Sequence, residues 1–319
     1  MALTDTYGDV TGEYLALRRH AGLVTGQHEL VWGSGPDAVP FLQDILSQEV
    51  ASLDDGGVAR SLLLSPRGKL RALLWVLRGA GQVGMFCDVG SSDVVVSDLE
   101  RLRIRVEVEL RRDERPITEI WGPEAPRVLE QAGLPVPAGW VEKDEAVVAL
   151  LPLGPLPRYA VAGVGSTRLE SGGARPVGQL AVTAVRIEAG EPVMGRDVDE
   201  RTIPQEADLV AEAISLEKGC YLGHELVARI ESRGHVNRHL RGVALHENVV
   251  PPQGAEVLMG AETVGSLTSV AESLTLRAPV GLALLHRKVG AGDAVSVRWE
   301  SGEASGTARE LPLDDFTLS

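Results

Sequence analysis

One short segment of the chain combines several residue types that can do chemistry. Residues 218–225 read Lys-Gly-Cys-Tyr-Leu-Gly-His-Glu, and Cys220 is one of only two cysteines in the 319-residue sequence. The two glycines predict a tight turn, and the run that follows, residues 225–230, predicts a helix. A thiol just before a helix N-terminus lies near the positive end of the helix dipole, which favours the thiolate. Cys220 is therefore a candidate reactive thiol; the alternative is a small residue that fills a turn.

His224 lies four residues beyond Cys220 and has three interpretations. As a base one helical turn away, it would lower the pKa of the thiol. Alternatively, Cys220 and His224 could supply four zinc ligands together with His235 and His239, which are also four residues apart. Arg238 would oppose a cation there, so we expect no metal site. The third interpretation is an ordinary surface histidine.

A second group of candidate residues is the pair Arg186 and Glu188. The strand-like residues 183–188 lead into a glycine turn at Gly190, so the sequence places this pair where a strand ends. A carboxylate in that position can accept two parallel hydrogen bonds from the amidine-like edge of a heterocycle. Glu188 is therefore a candidate ligand-binding carboxylate; a structural ion pair with Arg186 is the alternative.

The charge and cysteine content limit the class of protein. The 31 Lys and Arg residues against 45 Asp and Glu residues give a net charge of −14, which disfavours direct binding to nucleic acid or to anionic membranes. Cys87 and Cys220 are too few for a disulfide framework, as is typical of a reducing compartment. The sequence shows neither a leader segment nor a membrane-spanning run. We expect a cytoplasmic protein with no direct nucleic-acid or membrane partner.

The apolar patterning predicts an α+β body followed by a small β-barrel or sandwich. Helices are expected near residues 11–20, 37–46, 91–103 and 124–131. They lie among antiparallel strands and show no repeated βαβ order, while five short apolar runs after residue 240 predict further strands. The G-x-G-x-x-G run at residues 79–84 continues as a strand and is interpreted as a hairpin turn. We expect residues 1–235 to form the body, in two lobes, and residues 241–319 to form the barrel.

Several motifs together resemble one protein family. In chain order they are Arg186-Ile-Glu-Ala-Gly190, Ile203-Pro-Gln-Glu206, the 218–225 segment, and the arginines within residues 227–240. This order resembles the YgfZ-type folate-binding proteins, which are relatives of aminomethyltransferase, the T-protein of the glycine cleavage system. The resemblance implies a ring of antiparallel sheets with helices, plus a C-terminal β-barrel, around a central cavity. It also implies tetrahydrofolate, or a folate derivative, as the cofactor.

The resemblance further implies roles for named residues. Glu188 should hold the pterin, Tyr221 should help to bind the folate, and Cys220 should be the functional thiol of the signature loop near the cavity. Arg229 and Arg233 are expected to meet the glutamate tail of the folate, because guanidinium groups pair bidentately with carboxylates. The implied partners are iron–sulfur enzymes or cluster-assembly proteins, and some of those enzymes modify tRNA.

Two positions depart from the patterns of the relatives. Ala72 stands where the aminomethyltransferases have a catalytic Asp, and an alanine can neither accept nor donate a proton. His224 stands where the signature usually carries glutamine. The leading hypothesis is therefore a tetrahydrofolate-binding protein that supports assembly or repair of iron–sulfur enzymes. The alternatives are a folate-dependent one-carbon (aminomethyl or methyl) transferase or demethylase, and a non-catalytic interaction protein.

Overall fold

The structure is a computed structural model that describes residues 4–314, without the side chains of residues 232 and 233. Its helices are α1 (Val10–Arg19), α2 (Ala38–Ile45), α3 (Ser92–Leu102), α4 (Ala125–Gln131), α5 (Ser166–Ser171), α6 (Gln179–Ala189), α7 (Val210–Ala213) and α8 (His224–Arg233). Its strands are β1 (Gly22–Thr25), β2 (His28–Ser34), β3 (Val58–Leu64), β4 (Leu70–Gly79), β5 (Gln82–Asp88), β6 (Glu109–Arg112), β7 (Ile117–Trp121), β8 (Trp140–Lys143), β9 (Ala146–Leu150), β10 (Arg158–Ala162), β11 (Arg175–Pro176), β12 (Arg238–Leu245), β13 (Glu256–Met259), β14 (Glu262–Ser273), β15 (Ala278–His286), β16 (Ala294–Trp299) and β17 (Gly302–Arg309). The described strands form three sheets, two in the body and one closed into a barrel.

The first sheet is antiparallel and has the strand order β3-β4-β5-β2-β6. Along β4, Ala72, Leu74 and Val76 alternate onto one face, where they share a buried cluster with Leu42 of α2 and Leu99 of α3. The residues between them face the opposite way, as strand geometry requires. One face of this sheet is therefore sealed by helices, and the other turns toward the rest of the molecule.

The second sheet has the order β11-β1-β7-β10-β9-β8. Helices α4 and α5 cover one of its faces through Val128, Leu129 and Leu169. The other face packs against the first sheet, and the ring centroids of Trp32 and Trp140 lie 5.6 Å apart across that contact. The two sheets therefore enclose a shared apolar core.

The third sheet is a closed barrel with the order β12-β15-β14-β13-β16-β17. Helix α6 joins it to the body, because Val185 and Ile187 of this helix lie in one buried cluster with Leu240 and Val280 of the barrel. Tyr14 of α1 belongs to the same cluster. The end of α6 thus lies where the body and the barrel meet.

The predicted α+β body and C-terminal barrel are confirmed, and the glycine run at residues 79–84 is the hairpin turn between β4 and β5. Two predictions about individual strands were wrong. Residues 183–188 form part of α6, because the buried positions of that segment follow helical spacing. The barrel also contains a sixth strand, β17, whose inward residues Ala304, Gly306 and Ala308 are too small to stand out as an apolar run. The domain limits at residues 235 and 241 stay a prediction.

The described helices are short. None of them is both long enough and apolar enough to cross a membrane, within residues 4–314.

Candidate functional site

A cavity of about 480 Å³ lies where the parts of the fold meet. Its wall contains residues of β3 and β4, the loop between β9 and β10, the end of α6 and the segment that follows the barrel. The charged or aromatic lining residues are Arg60, Trp75, Glu191, Asp208, Glu212 and Asp314. This volume falls in the range of cavities that bind drug-sized ligands.

Trp75 and Arg60 form one side of the cavity. They lie opposite each other on β4 and β3, and Trp75 projects from the face of β4 that the helices leave uncovered. The guanidinium carbon of Arg60 lies 5.4 Å from the centroid of the Trp75 ring, and that of Arg158 lies 6.0 Å from it. Cation–π attraction of this kind holds the ring in place. The cavity therefore presents a fixed aromatic surface.

Glu191 is a tightly held carboxylate in the cavity wall. Arg158 donates two parallel hydrogen bonds to it, at 2.8 and 3.0 Å, and a nitrogen of Arg60 lies 3.3 Å away. Arg158 also donates to the carbonyl oxygen of Leu151 at 2.7 Å. Burial on its own would raise the pKa of Glu191, but the two guanidinium groups outweigh burial and lower the pKa to about 2. Glu191 therefore stays ionised at neutral pH.

Further carboxylates line the cavity. Glu212 accepts a hydrogen bond from Arg60 at 3.2 Å, and its side chain is 63% exposed. Asp314 is paired with Arg18 at 2.5 Å. Asp208 follows the Ile-Pro-Gln-Glu motif in a left-handed backbone conformation, with φ of 56°. These groups can exchange protons with a bound molecule.

Glu188 lies behind the cavity wall. Its fully buried carboxylate accepts hydrogen bonds from Tyr14 at 2.8 Å and from Ser273 at 2.5 Å, and Arg18 lies 3.6 Å away. Burial raises the pKa of Glu188, although Ser273, Tyr14 and Arg18 act in the opposite direction. Its backbone carbonyl accepts the N–H of Leu313 at 2.7 Å. Glu188 therefore links α6 to the barrel and to the segment that closes the cavity.

Two of the arginines singled out in the sequence, Arg186 and Arg229, do not line this cavity. Arg186 forms its ion pair with Asp197 at 2.7 Å and not with Glu188. Arg229 is an exposed residue of α8 and does not line the cavity. Arg233 ends the same helix, and its side chain is outside the described part of the structure.

Lys218 fastens the signature loop to the end of α2 and the residues that follow it. Its ammonium group donates to the carbonyl oxygens of Gln43, Leu46 and Gln48, at 2.5, 2.7 and 2.9 Å. Gln43 lies in the last turn of α2, where backbone carbonyls lack helical partners, and Leu46 and Gln48 follow the helix. The ammonium also lies 5.5 Å from the ring centroid of Tyr221. The lysine of the signature thus has a structural role.

Cys220 is exposed and does not line the 480 Å³ cavity. The tight turn predicted here is confirmed at Gly223, which has φ of 84° and precedes α8. Tyr221 is buried, and its hydroxyl has no hydrogen-bond partner among the described residues. His224 begins α8 with its ring 5.1 Å from the ring of Tyr221. The structure therefore pairs His224 with Tyr221 and leaves the thiol open to the outside.

Comparison with known proteins finds aminomethyltransferases that are similar to this chain. Residues 238–314 match the glycine cleavage T-protein C-terminal barrel domain. The aminomethyltransferase of Rubrobacter xylanophilus is 29% identical over 96% of this chain and 86% of its own length, and that of Streptomyces coelicolor is 26% identical over 87% and 81%. The crystal structure of the glycine cleavage system aminomethyltransferase T from Bartonella henselae matches 98% of this chain and 92% of its own, with a TM-score of 0.90 and 23% identity. The chain has the glycine cleavage aminomethyltransferase fold.

Within this aminomethyltransferase fold, Ala72 does not face the cavity. It is fully buried on the helix-covered face of β4, whereas Trp75 projects from the other face. The adjacent Arg71 is bonded to Asp98 at 2.6 Å. The cavity therefore has proton-transfer groups although residue 72 is an alanine, because the carboxylates that line the cavity come from other elements.

Sequence reasoning missed most residues that line the cavity. Glu191 lies three positions after Glu188, so the sequence offers it as a second candidate carboxylate next to the motif. Arg60 and Trp75 are isolated in the sequence, and only the register of β3 with β4 brings them together. No sequence signal points to Arg158 as the partner of Glu191.

Proposed function

We propose that the 480 Å³ cavity binds a reduced folate, tetrahydrofolate or a derivative, and that the chain is a folate-dependent one-carbon transferase of the aminomethyltransferase type. One observation carries this proposal: the cavity of an aminomethyltransferase fold is lined here by an aromatic ring, a guanidinium group and several carboxylates. Tetrahydrofolate carries the matching groups, namely a heterocycle with an amidine-like edge and a glutamate tail.

The wall residues match these groups in kind. Trp75 supplies a flat apolar surface for a ring. Asp208 and Glu212 can accept hydrogen bonds from an amidine-like edge, and Arg60 can donate to a carboxylate. Transfer of a one-carbon unit to or from a folate nitrogen also requires a group that accepts or returns a proton, and the same two carboxylates line the cavity.

Glu188 supports this site indirectly in our proposal. Its carboxylate is occupied by Tyr14 and Ser273, while its backbone carbonyl holds Leu313. The chain then turns at Gly190, with φ of 74°, and brings the next carboxylate into the cavity wall. The motif glutamate would thus fix the wall that meets the pterin.

Calorimetry with tetrahydrofolate tests the binding proposal. The wild-type chain should bind, and Trp75→Leu should weaken binding by about 1–3 kcal/mol, the usual value of base–aromatic stacking. Trp299→Leu, in the barrel, is the matched control and should bind as the wild type does. Glu188→Gln should retain binding if this residue acts from behind the wall, and should abolish it if Glu188 contacts the pterin directly. No binding by the wild type, or unchanged affinity in Trp75→Leu, refutes the folate assignment.

A separate assay tests the transferase. The measurement is formation of methylenetetrahydrofolate, with release of ammonia, from the aminomethyl intermediate of glycine cleavage. Sarcosine and dimethylglycine are tested with an added two-electron acceptor, because their methyl groups must be oxidised to reach the methylene level. Asp208→Asn and Glu212→Gln should each be assayed. If one of these carboxylates moves the proton, its replacement should lower turnover while folate binding persists. Folate binding without product from any donor would reject the transferase and leave a folate-binding protein.

The exposed thiol favours a second candidate function, support of iron–sulfur enzymes as in the YgfZ-type proteins. Cys220 lies on the surface outside the cavity, so its thiol is accessible to a partner protein. The proposed partners are iron–sulfur enzymes or cluster-assembly proteins. Cells that carry Cys220→Ala should then lose iron–sulfur enzyme activity, while the purified variant binds tetrahydrofolate normally. Unchanged activity in those cells refutes this candidate and leaves the thiol without a role in a partner's chemistry.

A further inference from the structure

A row of buried residues continues from the cavity wall into the protein. It begins with the pair of Glu191 and Arg158. The guanidinium carbon of Arg158 lies 5.3 Å from the ring centroid of Trp121, whose indole N–H donates to Glu119 at 2.7 Å. The other carboxylate oxygen of Glu119 lies 2.5 Å from Nδ1 of His28. The side chains of His28 and Glu119 are 8% and 1% exposed, so this pair has almost no contact with solvent.

A second, smaller cavity of about 80 Å³ lies beside the same pair. Arg158 and Glu191 line it from one side, and His28 and Asp88 line it from another. Nε2 of His28 lies 4.0 Å from Asp88, which accepts the backbone N–H of Met194 at 2.7 Å. A space of this size and polarity can hold a few water molecules. The pair in the wall of the ligand-sized cavity is therefore connected to a polar space that contains a histidine.

The charges of the row balance only when His28 is protonated. Glu191 and Glu119 carry two negative charges, Arg158 supplies one positive charge, and protonated His28 supplies the second. Arg60 is shared between Glu191 and Glu212, and burial raises the pKa of Asp88, which favours the neutral form of that carboxyl. The other charged groups at the small cavity are Arg186, which is already in an ion pair, and the exposed Arg196. Burial would lower the pKa of His28, but the adjacent carboxylate outweighs burial and raises it. A neutral histidine would leave an uncompensated buried negative charge, which is costly.

We infer that His28 and Glu119 are positioning residues of the cavity: protonated His28 holds Glu119, and Glu119 with Trp121 holds Arg158 against Glu191. Loss of the His28 proton leaves the row with an excess negative charge and loosens the cavity wall. Ligand affinity therefore falls as the pH rises through the titration of His28. The inference rests on the proposed function only in its choice of tetrahydrofolate as the probe.

The first arm of the test needs no ligand. The full-length protein with ¹³C-labelled histidine is titrated by NMR, and the His28 signal is assigned by its loss in His28→Gln or through its ring contact with Phe86 at 6.4 Å. The reference is His20, an exposed histidine whose carboxylate partner, Glu124, lies 3.4 Å away. His28 should stay protonated to higher pH than His20 and should lose this difference in Glu119→Gln. Equal titration of the two histidines in the wild type overturns the inference.

The second arm measures the Kd for tetrahydrofolate against pH. Wild-type affinity should fall where His28 loses its proton. His28→Gln should bind at least about tenfold more weakly, the scale on which partners that orient a binding group tune a site, and its pH profile should be flat. The control His20→Gln should match the wild type. A flat wild-type profile, or an unchanged profile in His28→Gln, overturns the inference. If the wild type does not bind tetrahydrofolate at all, only the proposed function is refuted. The NMR titration of the first arm then decides whether His28 and Glu119 are positioning residues.

Discussion

The buried pair of Glu191 and Arg158 allows a quantitative prediction of stability. Glutamine keeps the shape of glutamate without its charge, so Glu191→Gln leaves the guanidinium of Arg158, 2% exposed, as a buried cation without its partner. The pKa of Glu191 falls from 4.5 to about 2 in the folded chain, which corresponds to about 3 kcal/mol at neutral pH. Removal of one member of a buried ion pair costs about 3–5 kcal/mol in other proteins. We therefore expect a loss of about 3–5 kcal/mol in Glu191→Gln.

Glu212→Gln is the matched control, because Glu212 pairs with Arg60 as Glu191 does but has a side chain that is 63% exposed. Exposed pairs contribute about 0–1 kcal/mol. Thermal unfolding followed by circular dichroism or calorimetry measures the difference. An unfolding entropy of about 2.1 cal/mol/K per residue converts these losses to about 4–8 °C for Glu191→Gln and about 2 °C or less for the control. Equal unfolding temperatures of the two variants would refute the reasoning.

The same pair gives a signed pH dependence. The pKa of Glu191 is lower in the folded chain than its usual 4.5, so its stabilising contribution is fully present above about pH 4.5. That contribution disappears as the pH falls from there towards about 2. The difference in unfolding temperature between wild type and Glu191→Gln should therefore shrink on acidification through this window. A difference that grows instead contradicts the assignment of the pKa shift to Arg158.

Three further predictions concern other parts of the chain. Lys218→Met takes an ammonium from three carbonyl acceptors and should cost about 1–3 kcal/mol in urea unfolding; the exposed control Lys143→Met should keep the wild-type midpoint. Alkylation of the native protein should modify Cys220 alone, because burial raises the pKa of the Cys87 thiol and blocks access to it; mass spectrometry that finds both thiols modified before unfolding contradicts this. Glu188→Gln should lower the unfolding temperature less than Glu191→Gln, because burial raises the pKa of Glu188, so its charge gives no net stabilisation, whereas the lowered pKa of Glu191 reflects a charge that does; an equal or larger loss in Glu188→Gln contradicts this.

Local patterning explains most of the fold that could be predicted from the sequence. Helices α2 and α3 and the hairpin at residues 79–84 depend on spacing and turn residues within short windows, and they appear where predicted. Residues 183–188 are misleading because their Val, Thr and Ile residues favour strands, while the helix that contains them begins four positions earlier. The last barrel strand is hidden because it packs through alanine and glycine.

The site was harder to predict than the fold because its geometry depends on distant contacts. The motif at residues 186–190 does lie beside the cavity, but the turn at Gly190 puts Glu191 in the wall and Glu188 behind it. No pattern in one sequence distinguishes these two carboxylates. Arg158 meets Glu191 only because β10 and the end of α6 converge in the folded chain. Lys218, by contrast, belongs to a motif that predicts chemistry, but its ammonium group is bound to backbone carbonyls and anchors the loop.

The segment after the barrel determines when during synthesis the cavity becomes complete. Leu311, Pro312 and Asp314 line the cavity, and Leu313 is bonded to the carbonyl of Glu188. Every other wall residue leaves the ribosome before these do, so a nascent chain lacks this side of the cavity until residue 314 has emerged. A ligand stabilises only the state to which it binds. The ligand proposed for this cavity would therefore stabilise chains that include residues 311–314 and leave chains truncated before residue 311 more exposed to proteolysis.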